Sequence, residues 1–169
     1  MPVETHTTIE ISKDYLHFNA AHFTIFSASE REDLHGHTFH VRALITASVD
    51  ANGMAFDYNI LKTSLRGLCD SIDEKVLLPE HSPHLSLEQQ EGYLVATFND
   101  ERLPFLPRDV CPLPVSNITV EELAPWFLER LQADPNVATL LTETIVALEL
   151  QVSSGSGQWA GARWQPASP

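Results

Sequence analysis

"LHGHTFHVRALITASVD", residues 34–50, is the stretch whose reading decides the fold. Phe39, Val41, Ala43, Ile45 and Ala47 recur at every second position, the period of a strand with one buried face. By the same alternation His35 and His37 point the same way, and Gly36 between them leaves the backbone uncrowded. The preceding run "YLHFNAAHF", residues 15–23, also has strand composition. Pairing it beside the first strand brings His22 within coordinating reach of the other two histidines. Three neutral imidazole nitrogens with an open fourth position form the arrangement of a catalytic zinc rather than a closed structural one. His-x-His spacing alone is a weak signal, because most histidines are surface groups or satisfied core residues. His22 in an apolar strand strengthens it.

Working outward, residues from Glu4 to Asp50 read as two strand runs forming a long antiparallel pair joined by "TIFSASERED". Asn52-Gly53 marks a tight turn. Ile60, Leu61, Ser64, Leu65, Leu68, Cys69 and Ile72 make one helical stripe that needs a sheet to cover. "LSLEQQEGYLVATFNDERLPFLPRDVCPLP" contains a short strand, "YLVATF", and prolines that mark loops or edges, so it reads as an inserted hairpin. "NITVEELAPWFLERLQ" is a second helix: Thr119 and Glu122 fit a capping box, Leu123, Ala124, Phe127, Leu128 and Leu131 share a face, and Pro125 conflicts with the pattern. "ETIVALELQV" is a strand, and a last short one follows at "WAGARW". Strands with helices on one face predict an α+β fold.

The chain has 169 residues and is 43% hydrophobic, which suits one domain over residues 1–169. Its net charge of −13, with no cluster of Lys or Arg, disfavours nucleic acid and anionic membranes as partners. The opening "MPVETHTTIE" has neither the basic start nor the apolar run of a signal peptide, and no window reaches membrane-spanning length, so a cytoplasmic location is expected. Cys69 falls on the apolar helix face, so a reduced chain without disulfides is expected.

"FNAAHF", "REDLHGHTFHV", "FDYNILK", "IDEKVLLP" and "NITVEELAPW" occur in an order and spacing that resemble the 6-pyruvoyl-tetrahydropterin synthase family, which includes the 6-carboxytetrahydropterin synthases. The resemblance covers residues 8 to 150. It implies a tunnelling fold, with a four-stranded antiparallel sheet covered by two helices, assembling into trimers and usually hexamers. It also implies zinc on His22, His35 and His37, and a pterin pocket at a subunit interface. The implied activity is that of a zinc-dependent lyase on the side chain of 7,8-dihydroneopterin triphosphate. The alternatives are an aldolase-type member giving 6-hydroxymethyl-dihydropterin and an altered member that binds a pterin or purine-like ligand without the usual chemistry.

Where the best-known members carry a catalytic cysteine, this chain has Arg31. The next residue, Glu32, matches a glutamate of a variant branch and is the expected general base, a role that a carboxylate near a zinc-bound substrate can serve if partial burial raises its pKa. Without the resemblance, Glu32 in the charge-rich "SEREDL" reads as a solvated loop carboxylate. Asp73 matches one member of a proton-relaying Asp-His pair, while Glu74 stands in place of the histidine; both could equally be exposed charges at a helix end. His81 and His84 read as surface residues. For ring recognition the resemblance implies a glutamate in the last long strand, for which Glu149 is the nearest candidate and Val152 fits the other register. Thr119 and Glu121 match the helix-start motif that lines the ring pocket, although capping and helix-dipole complementarity also account for both. Cys111 is expected in the pocket wall, and Arg31, Arg42 and Lys62 are candidates for a phosphate.

Overall fold

The apolar row is buried as a unit, with Phe39, Val41, Ala43, Ile45 and Ala47 each at most 2% exposed. It lies on β3, His35–Ser48, in a computed structural model that describes residues 5–167. β3 is long enough to hold two partners along one edge. Its first half pairs antiparallel with β2, His17–His22, and its second half with β1, His6–Ile11. A turn separates those two, closed by the Leu16 amide donating to the Lys13 carbonyl at 2.9 Å. The run expected as one strand is therefore two; Glu4, where it was expected to begin, lies outside the described residues.

On its other edge β3 pairs with β9, Ile145–Ser153, and β9 with β10, Ala160–Trp164. The order β10-β9-β3-β2 is the expected four-stranded antiparallel core. Two strands extend it in parallel beyond β2: β4, Lys75–Pro79, and β8, Val110–Leu113, so that with β1 the sheet has seven strands.

Three helices cover one face of this sheet among the described residues. α1, Tyr58–Ile72, starts where the Asp57 carboxylate accepts the Asn59 amide at 2.9 Å, and it buries Leu61, Leu65, Cys69 and Ile72 from the predicted stripe. α2, Val120–Ala133, buries Leu123, Ala124, Phe127, Leu128 and Leu131 as expected, and Trp126 as well. The capping box does not form. Thr119 holds the N-cap position without a side-chain bond, and the Glu122 carboxylate accepts the Ser116 amide at 3.1 Å instead. Pro125 is kept within α2 on its exposed side, where the carbonyl it leaves unbonded can meet water. The third helix, α3, Pro135–Glu143, goes beyond the two expected. Asp134 caps it by accepting the Asn136 amide at 2.9 Å, and Pro135 occupies its first turn, where a missing N–H costs nothing.

The insert is a three-stranded antiparallel sheet rather than a single hairpin: β5, Ser86–Gln90, β6, Tyr93–Phe98, and β7, Glu101–Phe105. Its two-residue turns, Glu91-Gly92 and Asn99-Asp100, have positive φ at both positions, as the twist of tight hairpins demands. Leu94, Ala96 and Phe98 on its inner side pack with Phe23, Ile25, Leu78, Leu85 and Val110 into a second apolar cluster, separate from the main core. The insert is thereby held against β4, β8 and the chain that follows β2. No described helix is long and apolar enough to cross a membrane.

Candidate metal centre

Strand register brings the histidines together. His22 lies directly opposite His35 across β2 and β3, while His37 is opposite Ala20, one same-face step along. Cross-strand neighbours of this kind lie close enough for their side chains to touch. The ring centroids are 4.7 Å apart for His22 and His35, 5.2 Å for His22 and His37, and 4.8 Å for His35 and His37. One ring nitrogen from each lies within 4.8 Å of the other two.

Backbone carbonyls set two of the rings. His22 Nδ1 meets the Ile118 carbonyl at 2.9 Å, and His35 Nδ1 meets the Asp33 carbonyl at 2.8 Å. A carbonyl can only accept, so each Nδ1 carries the proton and each Nε2 keeps its lone pair. Among the described residues His22 Nε2 is buried with no hydrogen-bond partner, and His35 Nε2 approaches His37 Nε2 to 3.0 Å. Burial pushes the His22 pKa down against the pull of the Ile118 carbonyl, and His35 and His37 lower it further, which favours the neutral, ligating form. An orphaned buried acceptor costs about 1–3 kcal/mol, and a cation at the meeting point of the three rings would remove that cost. The donor set fits a divalent transition metal.

A cavity of about 360 Å³ opens above these rings, with Glu32 on one wall and Thr119 and Glu121 at the start of α2 on another. Glu32 is fixed through both its backbone and its side chain. Its amide donates to the Thr24 carbonyl at 2.9 Å, and its Oε2 accepts the Thr24 amide at 2.9 Å while lying 3.9 Å from His35 Nε2. Partial burial raises its pKa, but the Thr24 hydrogen bonds with His35 and His22 outweigh that and hold the carboxyl below its usual range. The net direction is therefore downward, opposite to the rise that partial burial alone would give.

Other predicted residues lie elsewhere in the chain. Asp73 caps the end of α1, and its Oδ1 accepts the Asn19 amide at 2.7 Å and the Asn19 side-chain amide at 3.3 Å, tying helix to strand edge. Glu74 and Glu32 line different cavities. Glu149 sits on the sheet face opposite Leu148 and Leu150 and accepts from Gln151 at 2.5 Å, so it faces away from the histidines. Val152 is fully buried. Cys111 is a half-buried free thiol in β8, raised in pKa by burial and packed against the main core. The candidate phosphate cations do not reach the cavity: Arg31 pairs with Glu101 and Arg42 with Gln151 and Glu10, while Lys62 belongs to α1. His81 and His84 are exposed. The larger cavity of about 830 Å³ lies between α1 and the α2–α3 junction, away from the histidines.

Sequence reasoning missed Thr24, Ser154 and Gln158 in the cavity wall, and above all Asn117. The Asn117 side chain donates to the Ile25 carbonyl at 2.8 Å and accepts the Ile25 amide at 3.1 Å. That clasp brings the Ile118 carbonyl under His22 across 96 residues of chain, and no local pattern announces it.

A profile described as 6-pyruvoyl tetrahydropterin synthase matches residues 10–161. A Methanocaldococcus jannaschii protein, provisionally named a 6-carboxy-5,6,7,8-tetrahydropterin synthase, is 28% identical over 147 residues, which cover 86% of this chain and 88% of the relative. The solved 6-pyruvoyl tetrahydropterin synthase of Plasmodium vivax superposes with a TM-score of 0.90 at 25% identity, covering 96% of this chain and 100% of the other. That protein has also been solved with a catalytic residue, a glutamate, replaced by alanine or by cysteine. The Plasmodium falciparum 6-pyruvoyl tetrahydropterin synthase gives a TM-score of 0.89 at 26% identity, over 96% of this chain and 99% of the other. The likeness extends over both layers of the tunnelling fold.

Proposed function

This chain belongs to the 6-pyruvoyl tetrahydropterin synthase family, and on that premise we propose that it is a zinc-dependent lyase acting on the side chain of 7,8-dihydroneopterin or its triphosphate. The observation that carries the reading is the convergence of His22, His35 and His37 beside a carboxylate, Glu32 Oε2, 3.9 Å from His35 Nε2. Zinc, when bound by the three imidazoles, supplies a Lewis acid that polarises substrate hydroxyls and eases loss of a proton from the adjoining carbon. Glu32 stands as the acceptor of that proton. The Thr24 amide bonded to its Oε2 orients the carboxylate, and its lowered pKa keeps it ionised near neutral pH. The catalytic glutamate of the Plasmodium vivax relative supports this assignment. Thr119 and Glu121 at the cavity mouth are the groups we assign to the pterin ring.

We infer assembly into a homo-oligomer, a trimer or hexamer, of one-domain chains acting on a small molecule in the cytoplasm. Among the described residues the outermost strand β10 has one edge without a partner, which favours pairing between copies. Asp73, Cys111 and Glu149, remote from the cavity within one chain, reach the ring only where a neighbouring copy presents them. A second reading, a member that binds a pterin without turnover, is favoured by Arg31 standing where the best-known members carry the catalytic cysteine and by Glu74 in place of the dyad histidine.

Metal analysis of the purified protein, followed by incubation with dihydroneopterin and its triphosphate and chromatography of the products, tests the proposal. Zinc near one per chain with side-chain cleavage, and loss of about 10²–10⁴-fold in Glu32→Ala with zinc retained, is the expected result. Full turnover by Glu32→Ala, or no turnover despite tight pterin binding, would overturn it.

A further inference from the structure

Arg31 precedes Glu32 but turns its guanidinium away from the histidines and into the second apolar cluster. Its Cζ lies 4.9 Å from the centroid of the Phe23 ring and 5.7 Å from that of Phe98, and both rings are at most 2% exposed. Nη2 and Nε bond Glu101 Oε2 at 2.6 and 3.2 Å, and Nη1 donates to the Glu32 carbonyl at 2.8 Å. The Arg31 side chain is only 15% exposed. One planar group thus joins four partners: two rings, a carboxylate of the insert, and the backbone of the residue facing the metal centre. Glu101 is itself placed by a rigid device, because it directly follows the tight Asn99-Asp100 turn and pairs with Phe98 across β6 and β7.

We infer that Arg31 is a positioning residue for Glu32 and that the three-stranded insert is the brace it pushes against. This deepens the proposed function and rests on it for its catalytic consequence. Glu32 lies in the excursion between β2 and β3, whose tip is closed by the Ile25–Arg31 bridge and the Phe26 amide donating to the Glu30 carbonyl at 2.9 Å. Such a loop does not by itself hold a carboxylate in a fixed place. Arg31 clamps the peptide that follows the Glu32 Cα on one side, while the Thr24 bonds fix the Glu32 side chain and amide on the other. An ammonium cannot substitute, since a point charge on a flexible stem does not span an ion pair, a carbonyl and two ring faces together.

The test uses the full-length, metal-loaded protein with Glu101→Gln, Arg31→Lys and, as a control on the outer side of the insert, Arg102→Ala. Amide hydrogen exchange is followed in residues 23–33, in 38–47 of β3 and in 93–98 of β6. Expected is faster exchange, by about tenfold or more, in 23–33 for the first two variants only, with β3 and β6 unchanged and metal content retained. On the pterin substrate kcat falls by about tenfold or more with KM within about twofold, and Arg31→Lys fails to rescue. Unchanged exchange in 23–33, a uniform rise across all three segments, or full kcat in Arg31→Lys would overturn the inference. If the unmodified protein turns over no pterin, it is the proposed reaction that fails, and the exchange measurements still decide whether Arg31 holds the loop.

Discussion

His22 Nε2 is a buried nitrogen without a partner, in a protein whose other buried side-chain polar atoms, Trp126 Nε1 excepted, are satisfied among the described residues. Folds rarely keep such groups unless something else completes them. Two consequences can be measured. Removing metal with a chelator lowers the thermal midpoint, because a ligand held at 100 times its Kd adds about 2.7 kcal/mol to the folded state; calorimetry with and without chelator checks this, and an unchanged midpoint would count against the site. His35→Ala weakens zinc by more than the roughly 10–100-fold typical of outer-shell changes, read by competition with a chromogenic chelator. At this scale the sequence was informative about identity and silent about environment. "HGH" and His22 could be picked out from spacing, but the depression of the Glu32 pKa comes from Thr24, eight residues away, whose amide direction depends on how the loop closes.

Among the helices, capping separates what looks alike in sequence. Asp57 and Asp134 accept the amides of Asn59 and Asn136, whereas Thr119 makes no cap bond with its side chain. Asp57→Ala should therefore cost about 1 kcal/mol, and Thr119→Ala less than about 0.5 kcal/mol, in urea unfolding. Asp134 also makes stability depend on pH. The Ser64 hydroxyl, opposed by burial and helped by the Asn136 and Val137 amides, holds its carboxyl below the usual range. A folded pKa below the unfolded one means the contribution is fully present above the unfolded value, about 3.9, and is lost as pH falls through the folded one. The stability gap between the parent and Asp134→Asn should accordingly shrink below about pH 4; a gap independent of pH would refute the assignment. Asp134-Pro135 is a readable helix start, so α3 was within reach of sequence reasoning. The failed capping box at Thr119 was not, because the Glu122 carboxylate is taken by Ser116 in a loop that tertiary packing holds in place.

The whole molecule couples its core to its chemistry. Phe18 and Phe39 stack at 4.9 Å beneath the site, and Phe39 meets His22 and His37 edge-on at 5.5 and 5.7 Å. Phe39→Ala should cost about 3–5 kcal/mol and weaken the metal together with the fold, seen as a lower urea midpoint and lower zinc content; loss of one without the other would contradict the coupling. The sheet's outermost β10 edge, by contrast, has no partner strand among the described residues of one chain. Sedimentation should return three or six times the 18.8 kDa chain mass, and a monomer at micromolar concentration would rule out the proposed assembly.

Alternation along β3, the α1 stripe and the α2 face were legible because a period of 2.0 or 3.6 is a local property, written in consecutive residues and enforced by burial of one face. From the same alternation came two histidines on one side of a strand. Only the folded chain decided that His22 stands opposite His35, that Ile118 orients it, and that Asp73 and Glu149 serve other contacts. Those outcomes depend on register and on bonds between residues up to 96 positions apart, and a one-residue slip in register would send the same side chains to the other face.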